Sequence, residues 1–465
     1  MEEFHYVILG DEPAGLWLAR RIWEEAMKPP MGVSNSHQNP SAPSEPREAR
    51  QVPAPKIAVI HWTDLARPTL FPAPLAKRFQ LPSPSATWSA EILTPSRALT
   101  WNASHLNRLF PDLAPIWEGL QDLFTNEGTG TPLGVAALRP TPAQSQVLRH
   151  AIKRSPELAT YASGIWKAVG RSRALAPESI LWGSLFATEL CDWDPYLELP
   201  KEISRISLMA KNNVLQSAKK LPTGQVLLEF EGQPAIATDQ LFLNVSLRRL
   251  ALLSGGTPDL WDVLPVDDSL LTFEATYPLQ LRVENSGLPC PLQPLTILFD
   301  TDEIPDLERE VWSLRYQALS DAKQLTLWAE APREISLDAV LESFREGMAK
   351  LNRLFPYLSR SLQQISPALS METCFEDSQR IETLTTLDSL AIESYRSSAL
   401  RTDTRWSGVL SLSPFLHCHL PYPLGPLLEA QRELQQIQRR YEKLRKPAPK
   451  WFSKTSSPRS EEQTP

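Results

Sequence analysis

The chain has 465 residues, 42% of them hydrophobic, so it can build a substantial core as two or three domains or as one large domain with insertions. Lys+Arg number 47 against Asp+Glu 54, a formal net charge of −7. That balance argues against a generic nucleic-acid binder, which needs a basic surface.

Residues 6–9, YVIL, form an apolar strand-favouring run that Gly10 breaks. Leu16, Ala19, Ile22 and Trp23 then recur at helical spacing. The pattern predicts strand, tight turn and helix. The start of such a helix offers unpaired N–H groups and the positive end of a dipole, which suit a pyrophosphate. In the G-x-G-x-x-G fingerprint the three glycine positions correspond here to Gly10, Glu12 and Gly15. The first glycine makes the turn and the third lets helix and strand approach. Glu12 puts a carboxylate where bare backbone would meet phosphate, and Asp11 adds a second; such charges repel a pyrophosphate unless they are turned away or neutralised.

Residues 28–55 are rich in proline, serine and polar residues without apolar period, and are expected to be a disordered surface insertion. Residues 56–62, KIAVIHW, predict the second strand. Its end carries His61, with Asp64 the nearest acid, where nucleotide-binding units place an acidic residue on a ribose hydroxyl. Apolar clusters at 87–120 predict helix and loop, and the glycine-rich GTGTPLG at 128–134 lacks the lysine and strand of a phosphate loop. Residues 141–187 predict helices opened by Thr141 and Pro142, with Trp166, Trp182, Phe186 and Trp193 as core. Alternation over 203–246 predicts a small antiparallel sheet and then a buried strand over 235–246, AIATDQLFLNVS. Strand-rich stretches follow at 270–300 and 312–329, then a helix capped by Ser336. A strand at 408–412 precedes a helix entered at Gly425 and Pro426, where N–H groups would face a ligand. The tail, 443–465, is expected to be disordered.

Four separated cysteines form no C-x-x-C, so neither a zinc site nor a disulfide framework is implied. His417, Cys418 and His419 are adjacent, and neighbours on regular backbone cannot all face one ion, so no metal site is expected. No signal peptide or membrane-spanning run is visible, which points to the cytoplasm.

The segment GDEPAGLWLA resembles the GxGPAGL turn of FAD-dependent oxidoreductases, with Pro13, Ala14, Gly15 and Leu16 matching and Glu12 departing. Asp239, Leu241, Phe242 and Leu243 fit the strand that re-enters the dinucleotide sheet in those proteins, with Asn244 replacing its usual small apolar residue. Leu354-Phe355-Pro356 and the 424–434 helix entry are similar to segments of amine-oxidase-like and protoporphyrinogen-oxidase-like flavoproteins. The resemblance spans roughly 6–434. It implies an α/β fold: a Rossmann-like parallel sheet, a mainly antiparallel substrate-type domain and helical insertions. The expected layout is a discontinuous dinucleotide-binding-like domain (1–110, 203–260, 405–440), a helical region (111–202) and a substrate-type domain (261–404). FAD would lie along Gly10, Glu12, Pro13, Ala14 and Gly15, with its adenosine end near His61 and its isoalloxazine near Gly425.

The middle glycine, the ribose acid, a Gly-Gly turn after the second strand and a closing C-terminal acid are each replaced or absent. Two functions are therefore expected in competition. One is a divergent FAD-dependent oxidoreductase acting on a small molecule, with Tyr277, Trp312 and His419 as candidate pocket residues. The alternative is a non-catalytic descendant serving as a binding or assembly module, whose aromatic residues (14 Trp, 15 Phe, 9 Tyr) would anchor a protein partner. A nicotinamide-binding protein fits less well, because the mid-chain antiparallel sheet and returning C-terminal helix favour the flavin layout.

Overall fold

The computed structural model describes residues 1–28, 53–61, 69–125, 133–170, 175–207, 215–245, 273–284, 292–299, 311–318, 322–331, 337–366, 392–395, 406–412, 417 and 420–445. The expected insertion (nearly all of it), Asp64, most of the GTGTPLG stretch, Ser336, Cys418, His419 and the tail beyond 445 lie outside the described residues.

The first strand, β1 (Glu2–Leu9), runs parallel to β2 (Ile57–His61) on one side and to β10 (Ile236–Leu243) on the other. Outside β2 lies β7 (Ser204–Ser207), also parallel. The hairpin of β8 (Leu215–Lys220) and β9 (Val226–Phe230) leads antiparallel into β10. The far end of the same β10 edge pairs parallel with β17 (Val409–Ser411). Val7, Ile8 and Leu9 are fully buried, and all five residues of β2 are buried. Strands of a sheet covered on both faces read as unbroken apolar runs in this way.

The helix α1 (Pro13–Met27) follows β1 directly and buries Leu16, Trp17, Leu18, Ala19 and Ile22. Its Trp17 indole donates to Phe79 O at 2.9 Å. A helical layer follows: α2 (Ala103–Leu109), α3 (Ala114–Thr125), α4 (Pro142–Arg154), α5 (Pro156–Val169) and α6 (Pro177–Leu185). Thr141 caps α4 in a reciprocal capping box with Gln144, as the Thr-Pro start suggests. Trp166, Trp182, Phe186 and Trp193 are core. The Trp166 ring lies so close to Gly170 and Gly183 that a Cβ on either would stand 2.2 Å from it.

The second sheet has the order β15-β11-β14-β13-β12-β4-β5. Its long strands are β11 (Phe273–Glu284), β12 (Leu295–Phe299), β13 (Val311–Ala318) and β14 (Ala322–Ala331), antiparallel between β11 and β14, β14 and β13, and β13 and β12. The edge of β11 is shared by β15 (Leu362–Ser366) and β16 (Ile392–Tyr395). Tyr277, Leu279, Leu281 and Val283 alternate onto a face covered by Val340, Phe344 and Leu351 of α7 (Leu337–Leu354), with Leu358 of α8 (Leu358–Ser361) beside them. Residues 87–120 hold the expected helix and loop in α2 and the start of α3, and in addition two strands that the sequence did not mark. Within them β4 (Ala90–Leu93) and β5 (Ala98–Trp101) form a hairpin that joins β12. Four-residue strands carry too little periodicity to be read locally, and the partner β12 lies about two hundred residues away in sequence. A separate pair, β3 (Thr69–Pro72) and β6 (Leu190–Trp193), is antiparallel. The last helix, α9 (Leu424–Arg445), packs along α1 and continues through 443–445, where the sequence suggested the start of a tail.

Candidate functional site

The turn between β1 and α1 is built around Asn244, the residue following β10. Gly10 has φ +123°, and a Cβ there would stand 2.1 Å from the Asn244 carbonyl oxygen. A Cβ on Gly15 would stand 2.3 Å from Asn244 Cγ. Both retained glycines are thus demanded by contact with the chain's own β10 end. The Asn244 side chain is fully buried and completely used. Its Oδ1 accepts from Gly15 N at 2.9 Å, and its Nδ2 donates to Glu12 O at 2.7 Å and Gly10 O at 3.4 Å. The opening of α1 consequently has few donors to offer: Pro13 has no N–H, and that of Gly15 is taken. Ala14 is buried between them.

Glu12 is the N-cap residue of α1 in extended conformation. Its carboxylate accepts a hydrogen bond from the Tyr422 hydroxyl. Tyr422 stands two residues before α9, and its own N–H donates to Val169 O at 2.7 Å. The beginnings of α1 and α9 therefore meet through a side-chain bond. A carboxylate at the start of α1 complements the helix dipole from within the chain. Gly425 and Pro426 are buried in the first turn of α9. One turn further, Glu429 Oε1 lies 2.7 Å from Nε2 of His417, which has φ +54°.

His61 closes β2, only 2% exposed. Its ring stands edge-on to Tyr196 at 5.4 Å between centroids, with the Tyr196 hydroxyl 3.4 Å from Nε2. Tyr196 in turn lies beneath the Arg205 guanidinium, 4.8 Å from its ring centre. Of the candidate pocket residues, Tyr277 is fully buried in the core under α7, while the Trp312 side chain and His419 lie outside the described residues. Among the described residues no group of three His, Cys, Asp or Glu could hold a metal ion, and no helix is long and apolar enough to cross a membrane.

The sequence places Gly10, Glu12, Pro13, Ala14, Gly15 and Gly425 at the two helix entries, and the fold brings those entries together. Sequence reasoning marked Asn244 as a departure but not as the centre of the turn. It missed Tyr422, for which a tyrosine between two prolines ahead of a helix is the only local signal.

No family model and no curated protein matches the chain by sequence. By structure it is similar to a variant of putrescine oxidase made in a structure-based redesign of cofactor binding, with 11% identity, TM-score 0.51, and coverage of 94% of this chain and 99% of that one. It is also similar to cyclohexylamine oxidase from Brevibacterium oxydans IH-35A, at 11% identity, TM-score 0.45 and the same coverages. At this identity the likeness is one of fold: the chain has the amine-oxidase-like flavoprotein architecture that its sequence resembles.

Proposed function

We propose that this protein is a non-catalytic descendant of the flavoprotein fold, a binding or assembly module that has filled its dinucleotide site with its own side chains. The observation that carries the reading is the bond between Glu12 and Tyr422 across the two helix entries. A pyrophosphate at this turn needs open N–H donors and no competing anion. Here the Glu12 carboxylate supplies the anion and Asn244 takes the Gly15 donor. His61, packed under Tyr196, is poorly placed to meet a ribose. The residues present do not fit FAD, and no redox step is assigned.

The test is titration of the purified protein with FAD, read by the visible flavin band and by thermal unfolding. The expected result is no bound flavin and no shift in midpoint, because a ligand stabilises only what it binds. Stoichiometric flavin in the wild-type protein would overturn the reading. It would restore the alternative of a divergent FAD-dependent oxidoreductase, which is favoured by the convergence of the Gly10–Gly15 turn with the Gly425 helix entry. The double variant Glu12→Gly/Tyr422→Phe removes the internal anion and its partner, and is expected to gain FAD binding over wild type.

A further inference from the structure

The helices α1 and α9 end side by side, because Glu25 near the end of α1 accepts from Arg445, the last residue of α9. Lys28 pairs with the same carboxylate, so one anion faces two cations there. Arg439, Arg440 and Lys443 are exposed on the last two turns of α9, where Glu442 is the only acid. Of the six large apolar residues that stand exposed among the described ones, two, Met27 at 55% and Leu444 at 57%, belong to this end.

The sequence keeps this character beyond α9. Residues 439–454, RRYEKLRKPAPKWFSK, hold seven basic residues and one acid, a net +6 in a chain of −7. The dipole of α9 accounts for cations within its last turn only. Lys446, Lys450 and Lys454 come after it, and so do Trp451 and Phe452. Residues 446–454 lie outside the described ones, but the covalent tether limits where they can act. Trp451 follows Arg445 by six residues, and so stays within about 20 Å of it even when fully extended. A nucleic acid would use the cations and leave the apolar side chains in water. The surface of an anionic bilayer uses both, since basic residues are drawn to the charged headgroups while apolar and aromatic ones enter the headgroup boundary.

We propose that the shared end of α1 and α9, with the basic and aromatic segment that follows it, docks on the surface of a bilayer containing anionic phospholipid. Arg440, Lys443 and the lysines after α9 supply the charge, and Leu444, Met27 and Trp451 the apolar contact. The attachment is peripheral, since no helix among the described residues is long and apolar enough to cross a membrane. The proposal goes beyond the binding-module reading and does not depend on what fills the β1–α1 turn.

The test is flotation of the full chain with vesicles of phosphatidylcholine alone, or of phosphatidylcholine mixed equally with phosphatidylglycerol. The expected result is binding to the mixed vesicles only, weakened by added salt. Lys443→Gln/Lys450→Gln is expected to lower the partition coefficient on the order of twentyfold, at about fivefold per basic side chain. Leu444→Ser/Trp451→Ser should weaken binding as well, while leaving its dependence on salt unchanged. Lys443 and Leu444 are exposed, and unfolding midpoints equal to wild type would show that the variants fold. The contrast between the two vesicles needs no variant, so it decides the matter even if one misfolds. Flotation with neither vesicle, equal flotation with both, or variants that float like wild type would overturn the proposal. So would tighter binding to duplex DNA than to mixed vesicles at equal phosphate, which would reassign the charge to nucleic acid. Flavin bound by the same preparation would overturn the reading of the turn and leave the vesicle result untouched.

Discussion

Asn244 is worth more to the turn than its size suggests, because one buried amide satisfies Gly15 N–H, Glu12 O and Gly10 O together. Asn244→Ala orphans the Gly15 donor and leaves Glu12 O with only its bond from Leu16 N–H, and is expected to cost about 1–3 kcal/mol, measured as a lower urea midpoint with unchanged slope. Gly15→Ala is expected to destabilise by a similar amount, about 1–3 kcal/mol, through overpacking against Asn244. The two losses should not add. Truncating Asn244 removes the Cγ and Nδ2 atoms that the new methyl would strike, but Asn244 Cβ, 2.7 Å from the built position, remains. A double-mutant cycle should therefore show a favourable coupling that stops short of full rescue. Additive effects would mean that Gly15 is needed for some other neighbour.

At the scale of elements, α1 and α9 are joined at both ends. Glu12 and Tyr422 join their beginnings, and Glu25 joins the far ends. Glu25, whose side chain is 7% exposed, accepts from Lys28 Nζ at 2.5 Å, Gln438 Nε2 at 3.0 Å and Arg445 Nη1 at 3.3 Å. Burial pushes its carboxyl up, but the hydrogen bonds from Lys28, Gln438 and Arg445 and the Lys28 charge outweigh that, and hold it below the ordinary value of 4.5. A carboxyl lowered on folding contributes stability that is present above its unfolded value and lost as pH falls through the folded one. Wild type should therefore be more stable than Glu25→Gln at neutral pH. The difference should shrink as pH drops below about 4.5, read from urea midpoints of both proteins across a pH series. A difference independent of pH would place the contribution of Glu25 in packing.

At the scale of the whole molecule, two sheets and a helical layer position helix entries that come from opposite ends of the chain. The first and last helices meet although Glu12 and Tyr422 are 410 residues apart in sequence. Architecture and chemistry separate clearly here. The two glycines of the fingerprint that serve packing are kept, and the one that admits a ligand is Glu12. FAD should accordingly leave the unfolding temperature of the wild-type protein unchanged.

By itself the sequence determined the elements that carry their signal locally. The buried runs of β1, β2 and β10 and the amphipathic face of α7 were legible because burial on a regular backbone imposes period two or period three to four on neighbouring residues. The α/β class and the likeness to flavoproteins followed from these runs and from the GDEPAGLWLA turn. Only the tertiary structure decided what occupies that turn. Asn244 reaches Gly15 across 229 residues and Tyr422 reaches Glu12 across 410, and nothing in the local sequence fixes which distant side chain arrives. The β4–β5 hairpin was hidden for the same reason, since its ladder is completed by β12. Periodicity reports which face of an element is buried, whereas the partner that buries it is set by the path of the whole chain.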